Sequence, residues 1–159
     1  MGAPQLVSHW LPCSVVFIST ANGGKTDIMT ATAMFISEEE RLFAISVAKD
    51  HLTAQLIEQS GEFTLVMASE SQKDLVWKLG SVRGESGNKL ERFSVEALPD
   101  RPNKPQIPSG CSAWMDCQVV SRYDVADNYL IIGKVVEEQD LGNPPLVWQK
   151  DKLFSLKPL

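Results

Sequence analysis

Between Asp27 and Thr53 the chain sets two strand-like segments and a helix start in direct succession. Ile28 to Ile36 and Leu42 to Ala48 are dense in β-branched and apolar residues, which fit a pleated, half-buried surface. Glu38-Glu39-Glu40-Arg41 between them is a solvated turn. After Ala48 the period changes. Asp50 is placed to cap a helix that runs to about Ser60, with Leu52, Leu56 and Ile57 as its apolar stripe and Gly61 as its stop.

The rest of the chain repeats this alternation of short strands and turn signals. Cys13 to Thr20 reads as a strand, followed by an Asn22-Gly23 hairpin turn that supplies positive φ cheaply. Phe63 to Met67 is a strand, and Ser71 to Leu79 a helix with Leu75, Val76 and Leu79 inward and Gly80 as its stop. Ser81 to Asn88 is a polar, glycine-rich loop. Pro99 to Pro108 holds four prolines and is therefore extended, outside any central strand. Ser112 to Val120 alternates, Tyr129 to Glu137 is strongly strand-like, and Leu146 to Gln149 with Leu153 to Leu156 flank a Lys150-Asp151-Lys152 turn.

Seven or more short strands and two short helices predict a mainly β chain. Closure into a Greek-key-like barrel removes exposed sheet edges, with the helices covering the barrel ends. At 159 residues, a single domain over 1–159 has room for a real core.

Charge and cysteine content exclude several function classes. A net charge of −5 argues against a nucleic-acid surface, which needs a clustered positive field. No apolar run has the length of a membrane span, and Met1 to Trp10 lacks a basic region followed by a hydrophobic core. Neither a membrane partner nor a signal peptide is expected. The three cysteines, Cys13, Cys111 and Cys117, have no CxxC spacing, so reduced thiols in the cytoplasm are expected and no metal site. Gly24-Lys25-Thr26 resembles the end of a phosphate-binding loop, but the first glycine of that motif falls at Ser19 and no helix follows.

Chemistry is expected at the start of the first helix. Unpaired backbone N–H groups and a partial positive charge suit a phosphate there. Lys49, His51 and Thr53 add charge and a hydroxyl. Upstream, the small residues of Met29-Thr30-Ala31-Thr32-Ala33-Met34 let a flat ring approach the backbone. A plainer reading stands beside each. Asp50 caps its own helix with Lys49 and His51 in solvent, and Met29 and Met34 are core among ordinary strand threonines. The only histidines are His9 and His51, and no nucleophile elbow or zinc motif is present. No catalytic side chain is assigned. A cofactor that brings its own reactivity fits better.

The order of these blocks resembles the flavin reductase-like, FMN-binding split β-barrel family over about Pro12 to Leu156. The blocks are Val15-Val16-Phe17-Ile18-Ser19-Thr20; Met29-Thr30-Ala31-Thr32-Ala33-Met34-Phe35-Ile36-Ser37; Lys49-Asp50-His51-Leu52-Thr53 followed by Gly61-Glu62-Phe63; Gly87-Asn88-Lys89-Leu90; Ile132-Gly133-Lys134-Val135-Val136; and Pro145-Leu146-Val147-Trp148 with Leu153-Phe154. The resemblance implies a homodimer of split barrels with FMN near the dimer interface, and FAD as the alternative flavin. By position, Met29, Thr30, Ala31 and Thr32 would line the ring and ribityl path. Val47, Ala48, Lys49, His51 and Thr53 would surround the phosphate. The implied activity is that of an NAD(P)H-dependent flavin or ferric reductase, with hydride delivered to flavin N5 and electrons passed to an acceptor or partner protein. The alternative is a non-enzymatic FMN-binding electron carrier or flavin store. Three features depart from the family, one of them the Pro99–Pro108 segment, which is lengthened by prolines. Glu38-Glu39-Glu40 replaces a proline-containing turn, and Asp127-Asn128 stands where many relatives have Asp-His, which bears on NAD(P)H use.

Overall fold

A computed structural model describes residues 6–83 and 87–159. Ten strands and three helices follow one another in it: β1 (Cys13–Ser14), β2 (Val16–Asn22), β3 (Lys25–Ala31), β4 (Ala33–Ser37), β5 (Leu42–Ala48), α1 (Leu52–Ser60), β6 (Glu62–Met67), α2 (Lys73–Gly80), α3 (Lys89–Arg92), β7 (Ala113–Val125), β8 (Asn128–Asp140), β9 (Leu146–Gln149) and β10 (Lys152–Ser155). Single 3-10 turns lie at Val7–Trp10 and Glu70–Gln72.

Seven strands form one antiparallel sheet in the order β3-β2-β6-β7-β8-β5-β4. β3 and β4 are its two edges, yet only Thr32 separates them in the chain. A sheet whose opposite edges meet at one residue must curl round, and the result is a split β-barrel. The expected single strand Ile28 to Ile36 is thus two strands with a break at Thr32. A smaller sheet, β1-β9-β10, stands beside the barrel.

The sheet is buried on both faces where β2 crosses it. Val16 and Ile18 point into the barrel with Ile45, Val47, Phe63, Leu65, Ile131 and Val135, closed at one end by Ala54 and Ile57 of α1. Val15 and Phe17 point the other way, against Leu75, Val76 and Leu79 of α2, Leu90 of α3, Ile107 and Trp114. A strand covered on both sides reads as an unbroken apolar run, as Cys13 to Thr20 does. Inside the barrel the Phe63 ring lies against β8 at Gly133. A Cβ there would stand 2.6 Å from Phe63 Cζ, so the close approach requires glycine.

Local signals place the turns. Gly23 and Gly24, at φ 57° and 80°, form the two-residue connection of β2 to β3. Lys150 and Asp151 do the same for β9 and β10 at φ 51° and 59°. Helix α1 ends as expected: Gly61, at φ 72°, donates its N–H to Ile57 O over 2.8 Å. Its start differs from expectation. His51 is the N-cap residue and no side chain caps the helix, while Asp50 faces Arg83 at 3.4 Å. The proline-rich segment stays outside the sheet. Arg101 fastens it, setting its guanidinium 2.8 Å from Asp116 Oδ1 and 4.2 Å over the Trp114 ring. The Ser81 to Asn88 loop falls partly outside the described residues. Among the described residues no helix is long and apolar enough to cross a membrane.

Candidate functional site

Two cavities adjoin along β3 and the C-terminal end of α2, sharing Thr30, Gly80 and Ser81. Gly80 presents no side chain where they meet, and a Cβ there would sit 3.6 Å from Thr30 Cβ, in ordinary van der Waals contact.

The first cavity, about 300 Å³, is the more polar of the two and lies at the start of α1. His51 and Leu52 line it from the helix, Asp27 and Met29 from β3, Arg83 from the segment after α2, and Lys89 from α3. The first N–H groups of a helix have no helical acceptor, and they carry its positive partial charge. A buried network forms the floor. Asp27 is 4% exposed. Thr53 Oγ1 donates to Asp27 Oδ2 over 2.6 Å. Lys89 Nζ stands 2.9 Å from Asp27 Oδ1, in ion contact but off the axis of a hydrogen bond, and donates to Ile28 O over 2.7 Å.

The second cavity, about 430 Å³, is mainly apolar. Trp77 of α2 and Trp148 of β9 supply aromatic walls, with Val15, Val76, Ala31 and Thr32 between them. Ser8 borders it from the N-terminal 3-10 turn, which is held to β9–β10 by His9 Nε2 at 3.1 Å from Asp151 Oδ2. β3 is a sheet edge, so its outward N–H and C=O groups have no ladder partner. An apolar cleft beside an unpaired backbone edge, joined to a charged cavity at a helix start, suits a flat heteroaromatic ligand with an anionic tail.

The sequence pattern of the Flavin reductase like domain matches residues 8–157, nearly the whole chain. The chain belongs to the flavin reductase like domain family. Its relatives include an Archaeoglobus fulgidus protein, 29% identical over 114 residues, which covers 70% of this chain and 64% of that protein. The reductase subunit HsaB of a flavin-dependent monooxygenase from Mycobacterium tuberculosis is 29% identical over 120 residues, 75% of this chain and 59% of HsaB. The chain therefore spans under two thirds of the length of these two relatives. In structure it resembles an FMN-binding protein from Thermus thermophilus with bound p-hydroxybenzaldehyde, at a TM-score of 0.83 and 19% identity, covering 98% of this chain and 92% of that one.

Within this flavin reductase like domain, Met29, Thr30 and His51 line the polar cavity, and Thr30, Ala31 and Thr32 the apolar one. Thr30 Oγ1 donates to Val76 O over 2.6 Å, so its hydroxyl proton already has a partner. Thr53 lies beneath the polar cavity, fully buried, with its hydroxyl given to Asp27. Val47, Ala48 and Lys49 are not brought to either cavity. Val47 is fully buried in the barrel. Ala48 uses its carbonyl to accept the His51 N–H at the turn into α1. Lys49 swings to the β7–β8 hairpin, its Nζ 3.5 Å from Asp124 Oδ1 and 5.4 Å over the Tyr129 ring.

Sequence reasoning left out Asp27, Trp77, Gly80, Arg83, Lys89 and Trp148 as site residues. Lys89 and Trp148 lie inside blocks that carry the family resemblance, which is a usable signal. Asp27 and Trp77 carried none locally, because their roles come from β3 and α2 meeting distant parts of the chain.

Proposed function

We propose that this chain binds FMN in the groove made by the two cavities and works as an NAD(P)H-dependent flavin reductase-type oxidoreductase. In this reading it is a cytoplasmic homodimer that hands electrons to an acceptor protein. The observation that carries it is the shared border at Thr30 and Gly80, which makes one groove of an aromatic-walled cleft and a charged helix start. A flavin has that same division, a flat ring at one end and a phosphate at the other.

The residues present fit the group. Trp77 and Trp148 would bury its ring, and the free edge of β3 at Ala31 would offer backbone groups to the ring's polar rim. The first turn of α1, with His51, would receive the phosphate. Bound flavin supplies the redox chemistry, accepting a hydride and releasing its electrons to an acceptor. The chain's own part is to orient, desolvate and hold charge, which needs no side-chain acid or base. The Mycobacterium tuberculosis relative is named as a reductase subunit, which supports an acceptor protein here.

One observation favours a second reading, a non-enzymatic FMN carrier or store. At the β7–β8 tip, Asn128 presents an amide that donates to its neighbour Asp127 Oδ1 over 2.9 Å, where the family resemblance implies an imidazole. Absorbance spectra under nitrogen decide between the two. Protein loaded with FMN should bleach on addition of NADH or NADPH. Bound FMN that stays oxidised would select the carrier, and no binding on titration would defeat both readings.

A further inference from the structure

Among the described residues lining the polar cavity, Asp27 is the only carboxylate. It joins three elements at the cavity floor: it sits on β3, accepts from Thr53 of α1, and is ion-paired to Lys89 of α3. The side chains of Asp27 and Lys89 are 3% and 2% exposed, so solvent screens neither charge. Two buried opposite charges so close present little net charge to a ligand above them. A lone buried carboxylate would present a full negative charge.

We propose that Lys89 is a positioning residue that acts through Asp27, and that the pair sets the selectivity of the cavity for a phosphorylated over an unphosphorylated flavin. This rests on the flavin reading of the groove. With Lys89 in place, a phosphate meets the positive start of α1 with no opposing charge on the floor. With Lys89 replaced by a neutral side chain, the Asp27 carboxylate repels the phosphate. A unit charge there outweighs the half charge of a helix end. The neutral ring and ribityl chain do not feel this change, so the effect is confined to the phosphate.

Riboflavin carries the same ring and ribityl chain without the phosphate, so paired titrations isolate the effect. Flavin fluorescence would be followed on titrating wild type, Lys89→Met, Asp27→Asn and the double variant, with a thermal melt on each. Lys89→Met is expected to lose roughly tenfold or more in FMN affinity, with riboflavin changed by less than about twofold. The double variant, with neither charge, should return to within about threefold of wild type for FMN. Asp27→Asn alone, with the ammonium uncompensated, should raise the FMN-to-riboflavin affinity ratio at least about threefold. This last variant decides the matter if Lys89→Met does not fold.

Equal losses of both flavins in Lys89→Met would overturn the inference and leave the pair a purely structural role. Failure of the double variant to recover FMN affinity would also overturn it, because Lys89 would then be touching the phosphate itself. Wild type that binds neither flavin would defeat the flavin reading and this inference together, an outcome distinct from the other two.

Discussion

Thr53 Oγ1 lies 2.6 Å from Asp27 Oδ2, with the threonine fully buried and the aspartate 4% exposed. The bond fastens the first turn of α1 to edge strand β3. Thr53→Val keeps the shape of the side chain and removes the donor, leaving a buried carboxylate oxygen without it. That should cost about 1–3 kcal/mol in urea unfolding, while Thr53→Ser, which keeps the hydroxyl, should cost less. A valine variant as stable as wild type would show that the bond contributes nothing.

The physical range of each interaction explains what was legible in the sequence. β5 at Leu42–Ala48, the Gly61 stop and the inward face of α2 at Leu75, Val76 and Leu79 are written in residues a few positions apart, and the structure has them as expected. β7 and β8 run on past the expected ends at Val120 and Glu137, where their residues are mostly exposed and lose the apolar alternation. The break at Thr32 follows from sheet closure, which no local propensity encodes. Lys49 adjoins the helix start in sequence, while its ammonium lies by the Tyr129 ring and Asp124 carboxylate of the β7–β8 hairpin. The Asp27–Lys89 pair and the facing of Trp77 and Trp148 arise only when β3, α2, α3 and β9 converge.

Arg101 and Asp116 form a second buried ion pair, with side chains 7% and 4% exposed. Arg101 also donates to Thr64 Oγ1 over 3.1 Å, and Thr64 donates to Asp116 Oδ1 over 2.6 Å. Arg101→Met strips the positive charge from the triad and leaves the buried Asp116 carboxylate with Thr64 as its remaining donor. A loss of about 3–5 kcal/mol is expected in chemical unfolding. Adding Asp116→Asn should recover part of it. Additive losses in the double variant would show that the two side chains are not coupled.

Burial, reinforced by the neighbouring Asp116 charge, pushes the Cys117 thiol up from its ordinary 9.0 to about 12. The unfolded chain therefore gives up this proton first. The contribution of Cys117 to stability is intact below its unfolded pKa and is lost as pH rises toward the folded value. Across that window stability should fall by about 1.4 kcal/mol per pH unit from this group alone. Unfolding midpoints measured from about pH 8 to 11 should decline less steeply in Cys117→Ala. Parallel slopes in the two proteins would place the thiol's ionisation elsewhere.

Met34, Phe35 and Ile36 on β4 are 60%, 54% and 40% exposed. Three large apolar side chains in a row on an edge strand form a template for association. Homodimerisation through β4 would cover them, and each side chain so buried contributes about 1.5–3 kcal/mol. Phe35 also meets Phe43 edge to face, at a centroid separation of 5.9 Å, so its ring is already held in place before a partner arrives. Phe35→Glu puts a charge into that surface. Light scattering should find wild type as a dimer and this variant as a monomer with an unchanged far-ultraviolet spectrum. If the flavin groove is completed at the dimer interface, the monomer should also bind FMN more weakly. A wild-type monomer would remove the dimer from the proposed function, and a monomeric variant with full FMN affinity would place the groove within one chain.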